Sequence, residues 1–281
     1  MSRPSRQTGR ALATYLLLCV AGGMFVLPLF WMVCVSLKPS AEVLAYPPKF
    51  LPQEPQADSY ADVFRSESFD FLLYARNTLV IGVLSLVGMV LSSSIAAYGF
   101  ARVPFRGRGV MFAVCLATMM IPFPVTMVPT YMIFKYLGWI GTFQPLWVPA
   151  WFGSAFNIFL LRQFFMGIPK ELEESAMIDG CSRWGCFWRI ILPLSKPALA
   201  VVSLFHLLTV WNDFLGPLIY LSHQNQFTLA LGLQFLQSKA GDTPWNQLMA
   251  ATTLTIVPVL VLFFLAQRTF IRGITTTGIK G

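Results

Sequence analysis

Long apolar runs alternate with short polar segments along the whole chain. Six of the runs hold about 18 to 25 mostly apolar residues, the length that an α-helix needs to cross the hydrocarbon core of a membrane. The pattern predicts an all-α polytopic membrane protein. Its six transmembrane helices are expected near residues 11–36, 75–99, 109–134, 144–162, 198–221 and 248–270.

Polar segments at the two ends and inside the chain divide it further. Residues 1–10 and 271–281 are expected to form tails, and residues 11–270 a single transmembrane domain. The first apolar run is too long for the core of a signal peptide and lacks a small-residue cleavage site. We therefore expect it to stay attached as a membrane anchor.

Residues 163–197 form the longest polar island in the C-terminal half of the chain, between the fourth and fifth runs. Pro169 suits the first position of a helix, since its missing N–H would have no partner there. Gly180 suits the left-handed conformation that ends a helix. Between them, acidic side chains crowd the first turns, where the helix dipole favours negative charge: Glu171, Glu173 and Glu174.

Spacing along this short helix places Leu172, Ala176 and Asp179 on one face. A second apolar run follows at 187–194. A helix, a glycine and a second helix between two membrane spans are typical of a docking element. An ordinary polar loop accounts for the same physical features equally well.

Prolines and small residues mark three other segments. The loop from Leu37 to Leu73 is long and rich in proline, and serves either as a connector or as a surface for an external partner. Proline within residues 122–129 predicts a kink in the third run, lining a pathway or packed in the bundle. The small residues at 92–99 predict close helix packing.

Composition agrees with a membrane location. Of the 281 residues, 56% are apolar and only 11% are charged, against about 25% charged in soluble domains. The mean hydropathy is +0.65. The net charge of +8 would suggest a nucleic acid partner if the basic residues formed one patch.

The basic residues instead follow the expected topology. With the N-terminus in the cytoplasm, 14 of the 20 Lys and Arg residues fall on the cytoplasmic side, as positively charged loops do. These are Arg3, Arg6, Arg10, Arg102, Arg106, Arg108, Arg162, Lys170, Arg183, Arg189, Lys196, Arg268, Arg272 and Lys280. Both termini and the 163–197 loop are then cytoplasmic, and no basic patch remains for a nucleic acid.

Polar side chains cluster within the fifth run. Ser203, His206, Thr209 and Asp213 fall on about a third of the helix circumference, with Asn212 at its border. Ionisable groups at membrane depth are costly and face a cavity or a partner. These five residues either line a passage or cross-link the bundle. His206 and Asp213 are too few and too far apart to hold a metal.

Enzymatic and metal-binding functions find little support in the sequence. The chain has no Gly-x-x-x-x-Gly-Lys-[Ser/Thr] phosphate loop and no nucleophile–base constellation. Cys181 and Cys186 lack further ligands at metal-binding spacing, so we expect free thiols. The chain is expected to hydrolyse nothing and to bind no cofactor or metal.

Specific motifs resemble one transport family. Glu174-Ser175-Ala176, Gly180 and Ile190–Pro193 match the Glu-Ala-Ala loop of ABC importer permeases, with Ser175 in place of the first alanine. The flanking residues resemble carbohydrate importers of the maltose type. The Gly-Ile-Lys-Gly ending resembles the second of the two permeases in such importers.

The resemblance implies a function and several partners. The partners are a distinct second permease, two ATPase subunits that bind ATP and Mg, and an extracytoplasmic sugar-binding protein, in a bacterial inner or cytoplasmic membrane. Two groups of residues would contact the ATPase. The coupling loop contributes Leu172, Glu174, Ser175, Ala176, Asp179 and Gly180, and the tail contributes Thr277, Gly278, Lys280 and Gly281.

Two other classes of protein fit the composition less well. An autonomous carrier driven by an ion gradient would be expected to contain inverted repeats and paired broken helices, and no convincing internal repeat is present. A membrane-embedded enzyme would need clustered His, Asp or Glu at membrane depth. Only His206 and Asp213 are available there.

Overall fold

The computed structural model describes residues 4–66, 68–238 and 243–277, with side chains from 11 to 267 within those ranges. Regular structure in this part of the chain is entirely helical. Its α-helices are α1 (Pro4–Ser36), α2 (Ser40–Val43), α3 (Asp58–Arg65), α4 (Phe71–Arg102), α5 (Arg108–Ala117), α6 (Phe123–Tyr136), α7 (Gln144–Trp147), α8 (Ala155–Gly167), α9 (Glu171–Ile178), α10 (Arg183–Cys186), α11 (Leu192–Leu194), α12 (Lys196–Trp211), α13 (Leu215–Tyr220), α14 (Leu229–Gln237) and α15 (Trp245–Thr277).

The first of two compact units comprises Met1–Phe71 and Leu233–Val257. The Ser36 hydroxyl lies 2.8 Å from the Tyr60 hydroxyl, and the carboxylate of Glu42 accepts a hydrogen bond from the Gln53 N–H at 3.1 Å. Val63 is fully buried. The proline-rich loop is therefore folded through specific contacts and carries two short helices, α2 and α3.

The second unit comprises Leu72–Gly232 and Pro258–Gly281. Its core is formed by apolar side chains from α4, α8 and the 187–202 region, so the second half of the 163–197 loop belongs to the core. The buried members are Met89, Ala97, Tyr98, Ile158, Leu161, Phe165, Ile168, Phe187, Ile191, Ala198 and Val202.

Small residues on α4 let another segment approach closely, at Ser93 within the predicted stretch 92–99 and also at Gly88 before it. A Cβ at Gly88 would overlap the indole ring of Trp151, whose N–H donates to the Leu84 carbonyl at 3.0 Å. The hydroxyl of Ser93 accepts a hydrogen bond from the Ser154 N–H at 3.1 Å. Without a bulky side chain at these positions, backbone and ring pack directly against the helix.

Three described helices are long and apolar enough to cross a membrane by themselves: Ala11–Ser36, Phe71–Arg102 and Trp245–Gln267. Two further pairs pass the same test together but are bent, Arg108–Met120 with Phe123–Tyr136 by 98° and Arg183–Leu194 with Lys196–Trp211 by 76°. The described residues thus contain three candidate spans, or five if each bent pair is one span. The count of six remains a prediction.

The predicted helix bounds and the observed ones differ where prolines or polar residues interrupt a run. The third run bends at the Ile121–Pro122 junction, as its prolines suggest. In the fourth run, the longest regular helix is α8, which has only 13 residues. At the C-terminus, α15 continues to Thr277, beyond the expected boundary at residue 270.

Candidate functional site

Helix α9 (Glu171–Ile178) is the short helix expected in the 163–197 loop. It begins at Glu171 rather than at Pro169, because the N–H groups of Glu173 and Glu174 both donate to the Lys170 carbonyl. Its end is a Schellman motif, in which the Cys181 N–H donates to the Ala176 carbonyl at 2.9 Å. Gly180 adopts a φ of +89°, the left-handed conformation that its sequence position predicts.

A buried ion pair fastens α9 to the end of α4. The Nε of Arg102 lies 3.0 Å from Oε2 of Glu173, and the two side chains are 5% and 8% exposed. The other carboxylate oxygen of Glu173 accepts a hydrogen bond from the Tyr98 hydroxyl at 2.9 Å. Buried charges of this kind are tolerated only when paired and hydrogen-bonded.

The same network extends to the neighbouring helices. The Nη2 of Arg102 donates to the carbonyls of Phe165 and Ile168 at the end of α8, where a cation suits the helix dipole. The Tyr98 hydroxyl also lies 3.0 Å from the Arg183 carbonyl at the start of α10. Four helices, α4, α8, α9 and α10, are therefore joined by two side chains of α4 and one of α9.

The rest of α9 faces outward. Ile178 is 86% exposed and Leu172 is 44% exposed. Glu174, Ser175 and Asp179 are exposed as well, whereas Ala176 is half-buried. The expected face of Leu172, Ala176 and Asp179 is thus only partly accessible, and Ile178 supplies apolar surface that the spacing argument missed.

The segment after Gly180 anchors the loop in the core. Ser182 caps α10, since its hydroxyl accepts a hydrogen bond from the Gly185 N–H at 3.1 Å. A π-helical turn, Phe187–Ile191, follows, and its two end residues are buried in the core. With Glu173 paired on one side and Phe187 buried on the other, α9 has little freedom to move independently of the bundle.

Of the expected pathway residues, His206 makes a contact with another helix. Its Nε2 lies 2.8 Å from the hydroxyl of Ser85 on α4. The hydroxyl of Thr209 and the amide of Asn212 are exposed side chains that bond to carbonyls of their own helix, those of Phe205 and Leu208. Ser203 is half-buried.

Asp213 does not share a helix with these residues, because α12 ends at Trp211. Its Oδ1 accepts a hydrogen bond from the Gly216 N–H at 3.0 Å, which satisfies a free N–H group at the start of α13. The sequence argument treated residues 198–221 as one helix face, and the break at 212–214 removes that premise for Asp213. Of the two roles considered, the observed contact is the structural one.

The remaining expected residues belong to the C-terminal tail. The backbone of Thr277 is the last turn of α15, and Gly278, Lys280 and Gly281 lie outside the described residues. Within the described part of the chain, no group of three or more His, Cys, Asp or Glu side chains could hold a metal ion.

Sequence reasoning missed the Tyr98–Glu173–Arg102 network. One available signal is that three glutamates occur within four residues of a short helix, while one side of that helix must pack against the protein. Arg102, the last residue of a long apolar run, is another. Because Arg102 and Glu173 are 71 residues apart in the chain, spacing alone does not identify them as a pair.

Comparisons with known proteins agree with these features. Residues 70–276 match the family described as "Binding-protein-dependent transport system inner membrane component". The chain is 34% identical to the arabinooligosaccharides transport system permease protein AraQ of Bacillus subtilis, over 92% of each chain. It is 30% identical to the trehalose/maltose transport system permease protein MalG of Thermococcus litoralis, over 90% of this chain and 91% of the relative.

The fold has a counterpart among solved structures. A chain of a bacterial ABC transporter involved in the import of the acidic polysaccharide alginate matches with a TM-score of 0.83 at 23% identity, over 95% of this chain and 98% of that one. The family match covers most of the sequence and both relatives align along nearly its full length. This chain therefore belongs to the inner membrane components of binding-protein-dependent transport systems, the permease subunits of ABC importers, whose ATPase is a separate chain.

Proposed function

We propose that this chain is one of two different permease subunits that together import a saccharide, with ATP and Mg bound by two separate ATPase subunits. The named relatives carry arabinooligosaccharides and trehalose or maltose, which favours a small oligosaccharide as cargo. An extracytoplasmic binding protein would deliver it. The excess of Lys and Arg in one set of loops supports cytoplasmic termini.

The observation that carries this proposal is the way α9 is attached to the rest of the bundle. Its inner side is tied to α4 by the Glu173–Arg102 ion pair, while its outer side exposes Leu172 and Ile178. A helix that is held by the bundle and exposes both apolar and acidic side chains on its free side is suited to transmit force from a docked partner. The ATPase is the partner that the family requires.

The C-terminal tail is a second proposed contact with the ATPase. Thr277, Gly278, Lys280 and Gly281 offer hydroxyl and ammonium groups and almost no apolar surface. Deleting residues 275–281 removes no apolar core, so expression should persist while transport and sugar-stimulated ATP hydrolysis both fall. Full rates in the truncated complex would contradict a role for the tail.

Reconstitution tests the overall proposal. Proteoliposomes containing both permeases and the ATPase should take up a radiolabelled oligosaccharide only with ATP inside and the binding protein outside. The same vesicles without the ATPase, placed under a proton or sodium gradient, should take up none. Uptake by this chain alone under an ion gradient would favour the secondary carrier instead.

Site-specific crosslinking tests the docking surface. A bifunctional thiol reagent should join an Ile178→Cys variant to cysteines placed in the surface groove of the ATPase. Tyr46→Cys is the matched control, because Tyr46 is 95% exposed but lies in the loop expected on the other side of the membrane. Equal crosslinking of both variants, or of neither, would contradict the proposed surface and topology.

A further inference from the structure

A cavity of about 550 Å³ with both apolar and polar lining residues opens near the start of α4, far along that helix from α9. Its wall comes from the first turns of α4, the turn and helix at 141–147, and the loop at 225–226. The size falls within the range of about 300–1,000 Å³ that small-molecule pockets occupy. None of the pathway residues expected from the sequence lines it.

Hydrogen bonds hold the wall of the cavity in place. The amide of Asn77 donates to the carbonyls of Asn225 and Phe227, at 3.0 Å each. The amide of Gln226 donates to the carbonyl of Gly141, whose own N–H donates to the Tyr220 carbonyl at 2.8 Å. The three segments of the wall are thereby tied together before any ligand enters.

Other polar groups on the wall are left without a partner. The Oε1 of Gln226 is buried and accepts no hydrogen bond. Within the described residues, the exposed guanidinium of Arg76 forms no ion pair. An unpaired polar group is costly only when it is buried, as the Oε1 of Gln226 is. The exposed Arg76 guanidinium is instead free to donate to the oxygen atoms of a ligand.

Aromatic rings complete the wall. Trp147 and Phe143 line the cavity and both are half-buried, so part of each ring remains accessible. A sugar ring has hydroxyl groups that donate and accept at its edge and an apolar C–H face. Aromatic surface covers such a face, and guanidinium and amide groups match pairs of hydroxyls or a sugar carboxylate.

We propose that this cavity is a saccharide-binding subsite at which the cargo contacts this permease on the outer side of the membrane. The proposal rests on the proposed function for its topology and cargo class. Trp147 stacks on the sugar ring, and Arg76 donates hydrogen bonds to its hydroxyl or carboxylate oxygens.

Binding to the assembled importer in lipid nanodiscs, without the binding protein, tests this subsite. The probes are maltotriose, arabinotriose and trimannuronate, observed by saturation-transfer NMR. At least one should bind to the wild type, and Trp147→Ala and Arg76→Gln should each weaken that binding at least tenfold. If the carboxylate is what Arg76 recognises, Arg76→Gln should affect trimannuronate more strongly than the neutral sugars.

Two controls separate binding from folding. Trp147→Phe keeps an aromatic face and should retain most of the affinity. His223→Ala changes an exposed side chain near the cavity but outside its wall, and should bind as the wild type does. Binding by neither the wild type nor any variant, or equal binding by all of them, would overturn the subsite.

Three further outcomes separate the subsite from a protein-docking surface and from the proposed import function. If the variants lose affinity for the binding protein, with or without sugar, and not for free sugar, the cavity is a protein-docking surface and the subsite is refuted. If ATP-driven uptake by the wild type proceeds and the variants match it in binding and uptake, the subsite fails while the import function stands. Failure of any ATP-driven uptake would instead refute the proposed function.

Discussion

Two arginines near opposite ends of α4, Arg102 and Arg76, have opposite surroundings. At the C-terminal end, the side chain of Arg102 is buried, pairs with Glu173 and donates to two backbone carbonyls through its Nη2, although its Nε has no aligned hydrogen-bond acceptor. The hydroxyl of Tyr98 contacts Glu173 and the Arg183 carbonyl. At the N-terminal end, Arg76 is exposed with no ion pair among the described residues, and the nearby Gln226 has a free acceptor. One continuous helix, Phe71–Arg102, connects them over about 39 Å at 1.5 Å per residue.

The difference indicates what each end is for. Polar groups that satisfy one another in a buried setting contribute to a fixed arrangement and have nothing left to offer a ligand. Polar groups that a rigid wall leaves unpaired are available for recognition. We therefore expect the Arg102 end to fix the position of α9 and the Arg76 end to contact a ligand, so that substitutions at the two ends separate stability from binding.

The largest expected effect is at the joint. Glu173→Ala leaves the Arg102 guanidinium buried without its partner, which costs about 3–5 kcal/mol in comparable pairs. The thermal stability of the purified permease in detergent should fall sharply, and transport should fall with it. Glu174→Ala is the matched control, since Glu174 is exposed and its loss should change stability by no more than about 0.5 kcal/mol.

The exposed position of Glu174 also allows a test of coupling to the ATPase. If Glu174 faces the ATPase, Glu174→Ala should reduce coupled ATP hydrolysis although the protein remains stable. Equal stability of the Glu173 and Glu174 variants would contradict the role assigned to the ion pair.

A smaller effect is expected at the turn that follows α9. Gly180 has a φ of +89°, and a branched side chain in the left-handed region costs about 1–2 kcal/mol. Gly180→Val should therefore lower stability and loosen assembly with the ATPase, measured by co-purification. Gly180→Asn should be milder because asparagine tolerates this conformation. Gly99→Ala is the control, as a Cβ at Gly99 meets no atom within 4 Å.

Asp213 is expected to contribute less to stability than Glu173 and more than Arg76, because its side chain accepts a backbone hydrogen bond at the start of α13. Asp213→Leu should cost about 1 kcal/mol, typical of a lost capping group, and detergent stability should report it. Asp213→Asn retains an acceptor for the Gly216 N–H and should be nearly silent in stability. A change of transport rate in the Asn variant, with stability preserved, would restore a pathway role for Asp213.

The smallest effect on stability is expected at the binding surface. Arg76→Gln breaks no ion pair, so the free energy of unfolding should change by no more than about 0.5 kcal/mol. Thermal unfolding of the variant beside the wild type checks this. A large loss of stability would mean that Arg76 is structural and that the two ends of α4 are more alike than their contacts indicate.

Much of the fold could be predicted from the sequence because its signals are local. The lengths of the apolar runs predict α1, α4 and α15, and the glycine at 180 predicts the end of α9. The prolines near residue 122 predict the bend there. Each of these features depends on the conformational limits of a few adjacent residues or on the thickness of a membrane. Neither cause depends on residues that are distant in the chain.

Features that depend on residues distant in the chain were decided by tertiary structure. The sequence contains Glu171, Glu173 and Glu174 side by side, and only the packing of α9 against α4 buries Glu173 and leaves Glu174 exposed. Likewise, the break after Trp211 separates Asp213 from the helix face that spacing assigned to it. Local sequence sets the helices and their ends, while the burial and pairing of a charge depend on which helices meet, because a charge is stabilised by the groups around it in space.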